Sequence, residues 1–501
     1  LRSDVMGLCE LYNKVNAEVF KSDKKNLCNY FSTSHLTFQC WKDHIKTEKF
    51  YISLPTLKQE EFFRPSCYGG RTYPSKKSFV SNQREAYLRG EISFDEITDY
   101  LRDADVNSLY PASMTDEFPV GEPIKLKQKK KDEFNQYFLE QGKSPYMGVF
   151  HVRYFPNKDL QHAILPRRDS EGSLHWDLKD GEGFYNTIDI ENALRFGYFV
   201  EITDKGGYYW EETKPVFKDY IEKLYHAKQN AKKGTPAYSL AKLKMNGLYG
   251  KMIQRPIREN SEFISPNDEN KFWDFFNTNQ IREIEEIGNK LYIAGDVRSD
   301  KDYEKCLTKP TYMGSFILAY SRRIMLNYMA LMNPNFDSPD EQKRIDGDFC
   351  YTDTDSLQAH ASQMERIKHL YDKKKLRYWS DDIKGSYKIL RGIWIAPKLY
   401  MLEYAVTGNP ELQYHFKGKG VSKSELNRQL FELLNAGAWI PTYRDFQMKK
   451  IHTRKNSKQQ QFDNFSILHI DGVDTKRILN KNHWNGRKFK KNKIDSIPEK
   501  D

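Results

Sequence analysis

Three stretches of this 501-residue chain hold residue types at spacings that suit phosphoryl chemistry. In Tyr351-Thr352-Asp353-Thr354-Asp355-Ser356, apolar Phe349 and Cys350 come first, and Leu357 and Ala359 alternate with polar residues afterwards. That pattern predicts a β-hairpin with Asp353 and Asp355 at or beside its turn. Two carboxylates so close repel each other, and a bound cation is the simplest way to keep both ionised. Hard oxygen donors suit Mg2+, with Mn2+ as a substitute; Mg2+ keeps several waters and is completed by substrate phosphates. A plain acidic turn would carry the same residues, since Asp is favoured in turns. The second stretch, Asp105-Val106-Asn107-Ser108-Leu109-Tyr110-Pro111, sets Asp105 at a predicted strand end. If strand and hairpin are neighbours, Asp105 and Asp355 share two metals roughly 3.5–4 Å apart, one activating a hydroxyl and the other steadying pyrophosphate. Phosphoryl transfer asks for little beyond positioning and charge neutralisation.

The third stretch lies between these two. Lys242, Asn246, Tyr249 and Gly250 fall at i, i+4, i+7 and i+8 of a predicted helix and so share one face. A cation, an amide, a ring and a gap on one face can hold a nucleoside triphosphate, with Lys242 at the phosphates and Tyr249 at the base. An amphipathic helix with a buried tyrosine is the competing reading.

The elements that must position these residues follow from periodicity and turn chemistry. Residues 1–20 read as an amphipathic helix, followed by charged, turn-rich sequence to about Pro65. Cys67-Tyr68-Gly69-Gly70 is a turn where glycines allow close backbone approach. Lys125, Lys127, Lys129, Lys130 and Lys131 open a stretch of mixed short strands and turns to about 212. Residues 213–251 are helical, split by Lys232-Lys233-Gly234-Thr235-Pro236; 252–310 return to short strands and polar loops; a helix runs from about Met313 to Met332. Arg102, Asp103 and Ala104 are more polar than a central strand ordinarily is.

Composition bounds the class. At 38% hydrophobic and 30% charged the chain can bury a core, and its length suits several packed units. Eighty Lys+Arg against 69 Asp+Glu give +11, which with 32 Tyr and 30 Phe favours a polyanionic, base-bearing partner. Six cysteines form no Cys-x-x-Cys pair, which points away from zinc and disulfide frameworks and toward a reducing, intracellular setting, cytoplasm or organelle. No apolar run approaches the length of a membrane span, so no membrane partner is expected. The opening at Leu1 reads as part of something longer.

In this order, the three motifs resemble the A, B and C motifs of family B DNA polymerases, and more narrowly the protein-primed branch of phages, adenoviruses and linear plasmids. Residues 242–250 match Lys-x-x-x-Asn-Ser-x-Tyr-Gly, with Gly247 where Ser is usual. Ala396-Pro397-Lys398-Leu399-Tyr400 resembles the Lys-x-Tyr motif, Lys417-Gly418-Lys419-Gly420 the basic turn near the thumb, and Gly69-Gly70 the Tyr-x-Gly-Gly loop, with Cys67 where Tyr is expected. The likeness covers roughly residues 63–425.

The resemblance implies an α+β right-hand polymerase that copies template DNA by adding dNMP from dNTPs to a primer. It implies Asp105, Val106 and Asp355 as metal ligands with Asp353 beside them. Tyr110 would be the steric gate against ribose, with a stacked core tyrosine as the alternative; Lys228 would be a second phosphate lysine or a solvated one. Gly69, Gly70, Ser108, Gly250, Thr354, Lys398, Tyr400, Lys417 and Lys419 would meet DNA. The implied divisions are an exonuclease remnant and linker (1–62), palm (63–121 and 311–420), fingers (213–251), a first insertion supporting a terminal protein primer (122–212), a second insertion (252–310), and a thumb with basic tail (421–501). Leu1-Arg2-Ser3-Asp4 resembles the end of a proofreading exonuclease without its tyrosine, so proofreading is not expected, and a surface Asp on a helix is the simpler reading of Asp4. The rivals are a polymerase of this fold that starts without a protein primer and a non-catalytic DNA-binding fragment.

Overall fold

Alternating apolar residues along 351–360 and 387–418 build one antiparallel sheet that organises the chain. The computed structural model describes residues 2–445 except Glu171, Ile257, Arg258, Asp382, Lys384, Gly420, Ser422, Lys423, Ala438 and Trp439, together with 465–470, 478–479 and 496–497. The sheet comprises β1 (Thr72–Pro74), β2 (Ser78–Val80), β3 (Leu101–Val106), β4 (Tyr351–Asp353), β5 (Ser356–His360), β6 (Trp379–Asp381), β7 (Tyr387–Ala396), β8 (Leu399–Val406) and β9 (Asn409–Gly418). Their order is β1-β4-β5-β3-β7-β8-β9, with β6 also on β3 and β2 on β7. β3 is therefore central, and its polar residues are each met. Arg102 pairs with Asp381 at 2.5 Å and lies over the Trp379 ring. Buried Asp103 accepts 2.9 Å from Gln358 Nε2, while its carbonyl accepts 3.1 Å from the Tyr387 hydroxyl. A buried carboxylate that is hydrogen-bonded is tolerated where a bare one is not.

The helices are α1 (Arg2–Asp23), α2 (Thr33–Ile45), α3 (Leu109–Ser113), α4 (Lys218–Asn230), α5 (Pro236–Met252) and α6 (Thr311–Met332). α6 is apolar nearly all round, as a helix buried on all sides must be. Its second half, with Ile324, Met325 and Met329, joins the core formed by Ala104, Val106, Leu357 and Ala359 of the sheet. Its first half, with Tyr312, Met313 and Phe316, joins Phe217, which caps α4, Ile221 of α4, and Met245 and Leu248 of α5. One helix thus ties the sheet carrying the carboxylates to the helices carrying Lys228 and Lys242. Each such side chain, fully buried, contributes about 1.5–3 kcal/mol.

Several expectations need correction. The stretch to Pro65 is not simply turn-rich: it holds α2, with Leu36, Phe38 and Trp41 buried, and a further helix, Leu57–Phe63. The segment opened by the lysine cluster contains a 14-residue helix, Gln128–Gln141, whose Phe134 and Phe138 face the core. It continues into a four-stranded sheet in the order Ile124–Lys125, Phe199–Trp210, Met147–Phe155, Gly181–Asn186, and two of these strands are long. Residues 259–297 form a three-stranded sheet crossed by helix Glu269–Thr278. The split helices of 213–251 and the hairpin at 351–360 stand as expected. Leu1, Gly420 and Arg487-Lys488-Phe489-Lys490-Lys491 lie outside the described residues. Among the described residues no helix is long and apolar enough to cross a membrane.

Candidate active site

β3 and β5 are hydrogen-bonded neighbours, and their register sets Asp105 opposite Ser356. The Val106 amide donates 2.8 Å to the Asp355 carbonyl, so the two half-buried aspartates sit at the same end of adjoining strands. The hairpin turn is tight: the Asp355 amide donates to the Asp353 carbonyl at 2.7 Å, and Thr354 adopts φ +63°. For a β-branched residue that backbone is strained, and it is held from outside. The Thr354 amide donates 2.7 Å to the Arg71 carbonyl. A Cβ placed on Gly70 would lie 2.9 Å from Thr354 Cγ2, so only glycine fits beneath the turn.

Asp353 faces a different set of partners. Thr72 Oγ1 donates to it at 3.1 Å and the Lys398 ammonium pairs with it. Lys398 is itself at φ +63°, and its amide donates 2.9 Å to the Tyr351 hydroxyl. Asp105, Asp355 and the Val106 backbone could hold a hard cation. Among the described residues no group of three or more His, Cys, Asp or Glu gathers as a metal cluster. A Mg2+ ion that keeps waters and takes substrate phosphates needs only one or two carboxylates, so this donor set fits it.

After β3 the chain turns through Ser108 at φ +52° into α3, which presents Tyr110. The Tyr110 ring stacks on Tyr249 of α5 with centroids 4.1 Å apart and planes 20° apart. The Tyr110 hydroxyl is pushed up by burial, then by Tyr249 and the Asp355 carboxylate; Tyr249 is raised by burial and Asp355. Both rings therefore feel the carboxylate end of the sheet. Lys228 Nζ lies 3.5 Å from Ser108 Oγ, and burial together with the neighbouring Lys242 charge lowers its affinity for a proton. Two cations held near each other favour an anion between them. Lys242 and Asn246 are exposed, and a side chain at Gly250 would meet open space.

The remaining expected residues gather on the Asp353 side of the turn. β8 and β9 pair Tyr400 with Lys417, and the Lys419 amide donates 3.0 Å to the Lys398 carbonyl. Lys398, Lys417 and Lys419 thus line one basic edge, whereas Tyr400 is buried with its ring 4.9 Å from Tyr351. Gly69 lies in a loop anchored by Arg322 of α6, which donates to the carbonyls of Tyr68 and Gly69 and pairs with buried Asp189 at 2.6 Å. Sequence reading missed Arg322, although an arginine within so apolar a helix is itself a signal that a buried partner exists. It also missed Asn107. Its side chain donates to the carbonyls of Asp372 and Lys375 at 2.7 and 3.2 Å and accepts from Ser380 at 3.0 Å, docking the 372–380 loop beside Asp105.

A sheet with carboxylates at one strand end, faced by paired helices bearing lysines and a stacked tyrosine, is the arrangement of a right-hand polymerase. The structure is similar to phi29 DNA polymerase complexed with primer-template DNA and incoming nucleotide, with a TM-score of 0.53 at 21% identity over 83% of this chain and 65% of that one. The family model for DNA polymerase type B, organellar and viral, matches residues 1–333, and the chain belongs to that family. It is similar to a probable DNA polymerase of Agaricus bitorquis, 24% identical over 469 residues (87% of this chain, 51% of that protein). It is also similar to the DNA polymerase of Bacillus phage Nf, 25% identical over 435 residues (85% of this chain, 61% of that protein). The chain therefore spans about half to two thirds of the length of these proteins.

Proposed function

We propose that this chain carries out template-directed DNA synthesis, adding dNMP from dNTPs to a 3′-hydroxyl of DNA or of a terminal protein primer. The setting is replication of a viral or linear-plasmid-like genome. The observation that carries the reading is the placement of Asp105 and Asp355 at one end of adjoining strands, with Asp355 within electrostatic reach of the Tyr110–Tyr249 stack. Supporting it, phi29 polymerase, of like fold, has been seen with primer-template DNA and incoming nucleotide.

In this reading Lys228 and Lys242 draw in the triphosphate, and their mutual repulsion is relieved when phosphate arrives. Tyr110, braced by Tyr249, lies under the sugar and excludes a 2′-hydroxyl. Asp105 and Asp355, with Val106, would hold two Mg2+ ions, which supply the charge neutralisation phosphoryl transfer requires when bound. Asp353 steadies Lys398, and Lys398, Lys417 and Lys419 receive the primer backbone. Gly69 lets the template approach, Gly70 seats the Thr354 turn, and Ser108, Gly250 and Thr354 complete the DNA-facing surface. Residues 63–121 and 311–420 serve as palm, 213–251 as fingers, 122–212 and 252–310 as insertions, and 421–501 as thumb; residues 1–62 precede the palm as the exonuclease remnant and linker.

The test is incorporation on a primed single-stranded template with Mg2+, alongside rNTPs and a candidate priming protein. Extension with dNTPs and refusal of rNTPs is expected. Tight DNA binding without incorporation at any metal concentration would contradict the proposal. Label transferred to the protein, rather than only to free DNA, separates protein priming from its rival.

A further inference from the structure

Lys244 lies two residues from both Lys242 and Asn246, on the opposite side of α5 from the nucleotide-facing residues. It is buried, its side chain 3% exposed, and a buried ammonium is costly unless paired. The partner comes from far along the chain. Asp23, the last residue of α1, receives Lys244 Nζ on both oxygens at 2.7 and 2.8 Å.

Two further contacts lock the same stretch of α5 from the same side. Thr37 of α2 donates 3.0 Å to the Lys244 carbonyl and lies 3.2 Å from the Tyr220 hydroxyl of α4, bridging both helices. Gly247 is pressed against Ser34, where a Cβ would meet Ser34 Oγ at 2.8 Å. The glycine that replaces the usual serine is the price of this close seating. An apolar residue at 244 would bury as well, but would not itself select one rotation of the helix. A buried ion pair is most useful where it selects one register.

We propose that Asp23 is a positioning residue for the incoming nucleotide: acting through Lys244, it sets the rotation of α5 so that Lys242, Asn246 and Tyr249 face the site. The inference rests on the reading of α5 as the nucleotide-facing helix. The N-terminal helices then belong functionally to the nucleotide site, acting through α5.

The test compares Asp23→Asn, Asp23→Glu, Lys244→Met and the double variant Asp23→Asn/Lys244→Met in the full chain. Binding of mant-dATP, KM for dNTP, kcat, primer-template affinity and melting temperature are measured. Asp23→Asn should weaken mant-dATP binding and raise KM roughly tenfold, the scale of one weakened nucleotide contact. The kcat and DNA affinity should stay within about twofold, and Asp23→Glu should recover KM. In the double variant no charge is left buried, so the melting temperature should return while KM stays high. KM returning together with the melting temperature would reduce the pair to a structural role and overturn the proposal, as would unchanged mant-dATP affinity in Asp23→Asn. Wild-type protein that fails to bind mant-dATP would overturn the nucleotide-facing reading of α5, and this inference with it. Wild-type protein that binds mant-dATP without incorporating it would sink only the catalytic reading.

Discussion

Gly70 separates two explanations of one glycine. The family resemblance makes it a place where template passes close to backbone, while the structure shows Thr354 occupying the space a side chain would need. A methyl added in Gly70→Ala would lie 2.9 Å from Thr354 Cγ2 and 3.2 Å from its Cα, where ordinary contact begins at 3.4 Å. Thr354 must therefore yield by about 0.5 Å, and it has little slack, being β-branched and held at φ +63°. It sits between Asp353 and Asp355, so the displacement passes to the Asp355 carboxylate. A 1 Å misplacement costs about a hundredfold in rate, so half of that predicts roughly a tenfold fall in kcat. Overpacking adds about 1–3 kcal/mol of instability. Single-turnover dNTP incorporation, with primer-template affinity measured by gel shift, reads the effect. Gly70→Ala should slow the chemical step with DNA affinity nearly unchanged, and Gly70→Ala/Thr354→Gly, which removes both methyl and strain, should restore it. A variant that loses DNA affinity but keeps its single-turnover rate, or a double variant with no rescue, would refute the packing argument.

Other expectations follow from the same geometry. Tyr110→Val removes the ring stacked at 4.1 Å on Tyr249 and should cost about a hundredfold in discrimination against rNTPs, read as the ratio of kcat/KM values. Burial and Lys242 lower the Lys228 pKa, so the free protein loses that charge at lower pH than an ordinary lysine would. KM for dNTP should therefore climb as pH rises toward the usual lysine range, and Lys228→Arg should flatten the climb. Asp189→Asn strands the Arg322 guanidinium, buried with its partner at 3% and 2% side-chain exposure, and should destabilise folding by about 3–5 kcal/mol in chemical denaturation.

What was legible in the sequence is what local pattern controls. The hairpin at 351–360, the strand with Asp105 near its end and the helices broken at Gly234-Thr235-Pro236 all follow from period and turn residues. α2 was not legible, because Thr33, Thr37, Phe38, Cys40 and Trp41 are poor helix formers taken singly. It forms because Trp41 stacks on Phe217 at 4.8 Å and donates 3.1 Å to the carbonyl of Val216, 175 residues away. Helix Leu57–Phe63 did carry a local signal, the Thr56–Gln59 capping box, overlooked among charged residues. At the site, residue type marks Asp105, Asp353 and Asp355 alike and could not single out Asp353. Its separate role depends on Thr72 and Lys398, which reach it only through the sheet register. The polarity of Arg102 and Asp103 argued against a central strand until Asp381, Gln358 and Tyr387 came into place beside them.

The most direct test of the central claim is Mg2+-dependent primer extension by Asp105→Asn and Asp355→Asn beside the wild type, with primer-template affinity measured in the same preparations. Each substitution removes one anionic donor and keeps the side chain's shape. Incorporation should fall by at least about a thousandfold in both while DNA affinity is unchanged or slightly higher, since phosphate repulsion is relieved. Extension that survives in either variant would place the chemistry elsewhere and contradict the assignment of these two aspartates.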